Sequence, residues 1–428
     1  MTDLKHRILP TVQKPARYTG GEWGEIKKNL QEVRVRVAFC FPDTYEIGMS
    51  NVGMRILYGV MNEMDGVWCE RVFAPWGDME EAMRIHNLPL WALESQSPVK
   101  DFDMIAFTIG YEMAYSNILN MLNLAGVPLR SCDRHDLKNL VFAGGVCAFN
   151  PEPLAEYIDF FSLGEGEDIT VEIVSLYDRA KQEGWSKDTF LREVAKIPGV
   201  YVPSFYRHDY NDDGTLAAIV PVADVPATVT KRIIEDLDNA YYPTKMIVPS
   251  TEIVHDRANL EVFRGCIRGC RFCQAGFSCR PVRKKSPEVL YKQAVEMLED
   301  SGNNEITISS LSTSDYRGLK ELTDQLIPYC YDKKVNLSVP SLRADNFSRE
   351  LMEKLQTVRK SGLTFAPEAG TQRLRDVINK NLTEEEILNT CAQAFSGGWN
   401  NVKLYFMLGL PTETDEDVLG IAELVYKV

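Results

Sequence analysis

The chain has 428 residues, of which 45% are hydrophobic and 25% charged, and it carries a net charge of −14. This is the composition of a globular protein of roughly three domains; it excludes a disordered chain, and the acidity excludes a broadly basic nucleic-acid coat. No apolar stretch reaches the ~20 residues that span a bilayer. The N-terminal MTDLKHRILPTVQKPARY has no apolar signal core, so a cytoplasmic protein without membrane association is expected.

Residues 1–30 are polar and read as an irregular lead-in. Val33–Phe41 reads as a valine-rich buried strand. A loop with Gly48 and Gly53 leads into a helical pattern through Met54, Leu57, Val60 and Met61. Further strands are expected at Trp68–Phe73, Met104–Ile109, Leu140–Ala143 and Phe160–Leu163, with helices at Tyr115–Leu124 and from about Asp168 to Lys181. Strands alternating with helices predict an α/β domain over residues 1–198. Its doubly wound Rossmann or flavodoxin-like parallel sheet would take a ligand at the carboxyl ends of the strands. Residues 199–250 read as a hairpin and linker: Val200–Tyr206, the turn Asn211–Gly214 and Leu216–Val220, then prolines at 221, 226, 243 and 249.

A second alternation fills residues 251–428. Strands are expected at Leu260–Phe263, Glu305–Ser310, Val335–Pro340, Leu363–Ala366 and Val402–Leu408. Helices are expected at Pro287–Glu299, Leu319–Tyr329, Arg349–Val358, Thr371–Asn379, Thr383–Phe395 and from about Glu416. Repeated β/α units with polar residues at the strand ends predict a partial β/α barrel with its site at the carboxyl face.

Cys266, Cys270, Cys273 and Cys279 fall within fourteen residues, whereas Cys40, Cys69, Cys132, Cys147, Cys330 and Cys391 are scattered. In a reducing cytoplasm clustered thiols indicate metal or redox chemistry, and isolated ones are usually small buried hydrophobes. Cys266, Cys270 and Cys273 can hold three irons of a [4Fe–4S] cluster and leave the fourth iron open to substrate atoms. Gly265 and Gly269 let the backbone turn tightly, and Arg264, Arg268 and Arg271 can offset the cluster's charge. The rival reading is structural zinc with Cys279 as a fourth ligand, and the plainest one is an unligated loop.

Cys-x3-Cys-x2-Cys with Phe272 before the last cysteine, following a strand that opens a β/α series, resembles the signature of the radical S-adenosylmethionine (radical SAM) superfamily. The resemblance covers about residues 255–428. It implies S-adenosylmethionine chelated at the open iron and cleaved by one electron to a 5′-deoxyadenosyl radical, Phe272 near the adenine, and an electron donor such as flavodoxin or ferredoxin. It further implies ligand contacts at the strand ends. These are Ser309 and Ser310 where the family has glycines, Arg343 for the carboxylate, Glu368 for the ribose, and Gly409 in the adenine-side turn. Such barrels commonly have six β/α units, and five are read here. A truncated chain, or a partner covering the open edge, is therefore expected.

The segment Asp43-Thr-Tyr45-Glu-Ile-Gly48 resembles the Asp-x-His-x-x-Gly frame of cobalamin-binding domains, with tyrosine where the family has the cobalt-ligating histidine. A phenol of pKa ~10 is a poor cobalt ligand at neutral pH, so a form without a histidine ligand is implied. Thr108 at the end of the third strand and Gly144-Gly145 after the fourth stand where that family packs the nucleotide tail. The whole chain thus resembles the cobalamin-binding subgroup of radical SAM proteins. Methyl transfer to a carbon is one implied reaction. Methylthiolation or rearrangement with a degenerate N-terminal domain is the alternative, and a non-catalytic zinc-dependent nucleic-acid binding protein is the reading of another class. No catalytic residue is assigned. Arg280, Arg283, Lys284 and Lys285 form a basic run that leaves an RNA substrate open.

Overall fold

The computed structural model describes residues 2–340 and 362–428; the helix expected at Arg349–Val358 lies outside the described residues. Two compact units result, one of residues 1–234 and 240–255, the other of residues 235–239 and 256–428.

The first unit is built on a six-stranded sheet. Its strands are β1 (Val35–Phe41), β2 (Val67–Phe73), β3 (Met104–Thr108), β4 (Leu140–Gly144), β5 (Phe160–Ser162) and β6 (Val200–Tyr201), in spatial order 2-1-3-4-5-6. The first five run parallel and β6 is antiparallel to β5. Strand β1 is buried on both faces: Val35, Val37, Phe39 and Phe41 join one core, and Ala38 and Cys40 the other. That is why its sequence is a continuous apolar run rather than an alternating one. The chain reverses direction across the sheet between β1 and β3, and the loops after these two strands flank the switch point.

Two departures from expectation have local causes. Val200–Tyr201 joins the sheet, and the hairpin is instead β7 (Tyr206–Tyr210) with β8 (Leu216–Pro221). Helices at Gly77–His86 and Lys187–Val194 were not legible. The first buries only Met79 and Met83, too narrow a stripe for a periodic signal.

A charge cluster lies beneath the switch-point loop. The Arg71 guanidinium donates to Glu94 Oε1 and Glu22 Oε2, each at 2.6 Å. Glu22 and Glu94 face one guanidinium out of water, with Glu25 a third carboxylate 3.8 Å from it, and burial pushes the Glu94 carboxyl up from 4.5 to about 6, against the pull of Arg71. A carboxyl with a raised folded-state pKa binds its proton more tightly in the folded protein. Its contribution therefore grows as pH falls from about 6 to about 4.5 and is lost as pH rises through that window. Urea unfolding should show the parent gaining roughly 1–2 kcal/mol relative to Glu94→Gln between pH 7 and pH 4.5. A parallel pH dependence in the two proteins would refute it.

In the second unit β9 (Ala258–Glu261), β12 (Glu305–Ser309) and β13 (Asn336–Ser338) form a parallel sheet in the order 13-12-9. Strands β14 (Leu363–Glu368) and β15 (Val402–Phe406) form a parallel pair. Helices Pro287–Ser301, Leu319–Lys333, Gln372–Val377, Glu384–Ser396 and Asp415–Lys427 separate or follow them. Capping boxes start two of these: Thr383 with Glu386, and Thr414 with Asp417. The short antiparallel pair β10 (Phe263–Arg264) and β11 (Arg283–Lys284) closes the base of the cysteine loop.

Candidate active site

The cysteine loop leaves the sheet at the carboxyl end of β9, through β10, and returns through β11. Gly265 makes the exit. Its φ is +88°, and a Cβ there would lie 2.6 Å from Pro281 O and 2.8 Å from Cys279 O, so no larger residue fits. Cys266 and Cys273 are half-buried and Cys270 is 8% exposed; none is in a disulfide. A turn bond from Cys273 N–H to Cys270 O spans the second and third thiols, and Cys266 Sγ accepts the Arg268 N–H at 3.4 Å. Among the described residues no three His, Cys, Asp or Glu side chains converge on a common point as metal ligands. The topology thus brings three thiols onto one short loop without gathering their sulfurs. The donor set still fits an iron–sulfur cluster: three reachable free thiols on a glycine-bounded loop, with no histidine among them. The Cys279 backbone carbonyl packs at the loop's base and accepts from Arg283.

The arginines expected to offset a cluster's charge are already engaged. Arg264 pairs with Glu261 at 3.0 Å and Arg268 with Asp315 at 2.6 Å, while the Arg271 guanidinium reaches Val377 O. Nor do Arg280, Arg283, Lys284 and Lys285 form a continuous basic rim. Arg283 turns inward to Pro281 O, and Lys285 is 2% exposed and donates to Gln293. Alternation along β11 sends neighbouring side chains to opposite faces.

The strand-end residues follow this loop in the sequence. Phe272 is 38% exposed. The Ser309 hydroxyl donates to Asn259 Oδ1, and Ser310 shares a hydrogen bond with Thr313, so both hydroxyls brace the strand end. Glu368, at φ +68°, ends β14 and is held by Lys380 at 3.1 Å. A left-handed conformation is costly for a glutamate and marks a position fixed by its surroundings. Gly409 has φ +80° and donates its N–H to Glu413 Oε2 at 2.6 Å. Arg343 lies outside the described residues.

In the first unit the loops after β1 and β3 are joined across the switch point. Tyr111 Oη donates to Asp43 Oδ2 at 2.7 Å, and that hydrogen bond, then burial and the Asp43 charge, raise the phenol's pKa above its ordinary value. Tyr45, in the Asp43–Gly48 frame, turns its side chain inward. It is 1% exposed, donates to Glu22 and packs edge-on to Phe73, so its ring faces the core and not a ligand. Burial first, then the Glu22 charge, raise its pKa far above the ordinary phenol value. Gly48 lies against the Phe73 ring, so its smallness serves packing. Thr108 pairs with Gly144 in register. Gly145, at φ +100°, would place a Cβ 2.7 Å from Ile109 O, so the glycine pair first serves the close approach of β4 to the turn after β3. Sequence reasoning missed the exposed apolar side chains in the loops after β1 to β4: Ile47, Trp76, Tyr111, Met113 (83% exposed) and Val146. Soluble surfaces expose such residues in groups mainly where something binds.

Comparison with known proteins places both units. Residues 53–203 match the family described as radical SAM proteins, N-terminal, and residues 260–425 match the radical SAM superfamily. An uncharacterized protein of Methanocaldococcus jannaschii is 29% identical over 92% of this chain and 73% of its own length. The threonylcarbamoyladenosine tRNA methylthiotransferase of Bacillus subtilis is 24% identical over 46% of this chain and 44% of its own. The radical S-adenosylmethionine methyltransferase TsrM from Kitasatospora setae, solved with cobalamin and a [4Fe–4S] cluster, is similar in fold. Its TM-score is 0.59 at 14% identity, over 92% of this chain and 70% of TsrM. With a three-cysteine loop at the head of a β/α series and family matches over both units, the chain belongs to the radical SAM superfamily and is an enzyme.

Proposed function

We propose that Cys266, Cys270 and Cys273 hold a [4Fe–4S] cluster at which S-adenosylmethionine is cleaved reductively, and that cobalamin at the first unit assists methyl transfer to a carbon of the substrate. The observation that carries the reading is the three-thiol loop at the carboxyl end of β9, within a radical SAM family match. Held by the thiolates of Cys266, Cys270 and Cys273, a reduced cluster would supply the single electron that cleavage of the sulfonium C–S bond to methionine and a 5′-deoxyadenosyl radical requires. Gly265 and the β10–β11 pair fix where the loop projects. Glu368, held by Lys380 at the end of β14, presents a carboxylate suited to the ribose hydroxyls, while Ser309 and Ser310 stand at the end of β12 and Gly409 follows β15. Arg343 remains the proposed carboxylate partner by charge.

For cobalamin, the sheet order with its switch point and the apolar rim after β1 to β4 suit a large flat ligand, with Asp43, Thr108, Gly144 and Gly145 at its edge. The likeness to TsrM extends over this unit as well, which supports methyl transfer. Methylthiolation is the second reading. It is favoured by the B. subtilis relative, whose similarity extends over less than half of this chain. RNA as substrate belongs with that reading, and a flavodoxin or ferredoxin is the proposed electron donor. No helix among the described residues is long and apolar enough to cross a membrane.

Electron paramagnetic resonance on anaerobically reconstituted, dithionite-reduced protein tests the core of this. A [4Fe–4S]⁺ signal that changes shape with S-adenosylmethionine is expected. Zinc in place of iron would reject it in favour of a structural metal module. Added hydroxocobalamin should bind with a spectrum lacking any protein ligand to cobalt, identical in Tyr45→Phe. Absence of binding would remove cobalamin and leave methylthiolation or rearrangement.

A further inference from the structure

The turn that follows helix Gln372–Val377 grips the cysteine loop on both sides of Cys270. On one side Asn379 Nδ2 donates to Gly269 O at 2.8 Å. On the other the Arg271 N–H donates to Ile378 O at 2.9 Å, and the Arg271 guanidinium reaches Val377 O. Gly269 is what lets the carboxamide come so close, since a Cβ there would lie 2.9 Å from Asn379 Nδ2. The turn itself is wound tightly. Asn379 and Asn381 have φ +54° and +48°, the left-handed conformation that asparagine tolerates better than most side chains. Lys380, between them, reaches back to Glu368 at the end of β14. One short turn therefore holds the backbone on either side of the middle cysteine and the carboxylate at a neighbouring strand end.

We propose that Asn379 is a positioning residue: its carboxamide, with the Ile378 carbonyl, sets the place of Cys270 relative to Glu368, and so the orientation of the cluster toward its ligand. This deepens the reading of the loop as a cluster site and rests on it. Packing of a loop on a turn needs only apolar contact; here a side-chain donor and a main-chain acceptor meet the two peptide groups that flank a cluster ligand.

Two variants approach the contact from opposite sides. Asn379→Gly keeps the left-handed backbone and removes the carboxamide. Gly269→Ala keeps the turn and pushes the carboxamide away. The first readout is hydrogen exchange of the peptide spanning Gly269–Cys273 in protein free of iron. One lost hydrogen bond should speed exchange there by roughly five- to tenfold, with exchange in β12 unchanged. The second is the reduced-cluster paramagnetic signal. Both variants should bind iron as the parent does, but with a broadened signal whose response to S-adenosylmethionine is diminished. A parent signal that responds to the ligand, with variants matching the parent in exchange and line shape, would overturn the positioning role alone. A parent that forms no cluster would overturn the reading of the loop and the role together.

Discussion

Replacing Cys266, Cys270 or Cys273 singly by alanine is expected to abolish S-adenosylmethionine cleavage, a loss of at least roughly a thousandfold, while Cys279→Ala retains it. The asymmetry follows from the chemistry of the donors. Three thiolates account for three irons and leave the fourth open. Removing one leaves an incomplete set, because no histidine lies in the loop to replace it. Cys279 sits at the end of the short helix Ala275–Ser278, and its role there is its carbonyl, which alanine keeps. A thousandfold loss corresponds to about 4 kcal/mol of barrier, beyond what a modest packing change supplies. Iron content and the yield of 5′-deoxyadenosine per cluster measure both sides of the comparison. Under the zinc reading all four variants would lose metal, because structural zinc takes four ligands. Loss of metal in Cys279→Ala would therefore overturn the three-thiol assignment.

What the sequence made legible was set by signal strength. Strand β1 was readable because a long apolar run bounded by turns leaves few alternatives, and β9, β12, β13, β14 and β15 were readable from their alternation with helical patterns, whereas the two-residue strands β10 and β11 gave no pattern to read. The cysteine loop was readable because thiol spacing is a chemical signature. The direction of the Tyr45 side chain was not legible, for a physical reason. A motif frame gives the position of a side chain along the chain but not the direction it takes, and Glu22, more than twenty residues away, turns the phenol into the core. The arginines near the thiols were misjudged likewise: Arg268 meets Asp315, which only the fold brings near. The apolar rim after β1 to β4 was not readable at all. Ile47, Trp76, Met113 and Val146 stand alone in the sequence and become one feature only when the sheet aligns the loops that carry them.

The same distant partners make Arg71→Met the most damaging single change expected in the first unit. Arg71 lies on β2 with its guanidinium buried, and besides Glu22 and Glu94 it contacts Met49 Sδ at 3.1 Å. Methionine fills much of the volume but leaves two carboxylates out of water with no cation. Breaking a buried pair in this way typically costs 3–5 kcal/mol, about half the stability of many domains. Met49 and Tyr45 belong to the switch-point loop, so the damage should reach the proposed corrinoid site as well as the fold. The deficit should shrink on acidification, because two unpaired buried carboxyls relax by taking up protons, and proton uptake by the folded state is favoured as pH falls. Adding Glu22→Gln and Glu94→Gln to Arg71→Met removes the stranded charges and should recover more than half of the loss. Chemical unfolding of the single and triple variants at pH 7 and pH 5 reads this directly. A triple variant no more stable than Arg71→Met would mean that the arginine acts through its packing and not its charge.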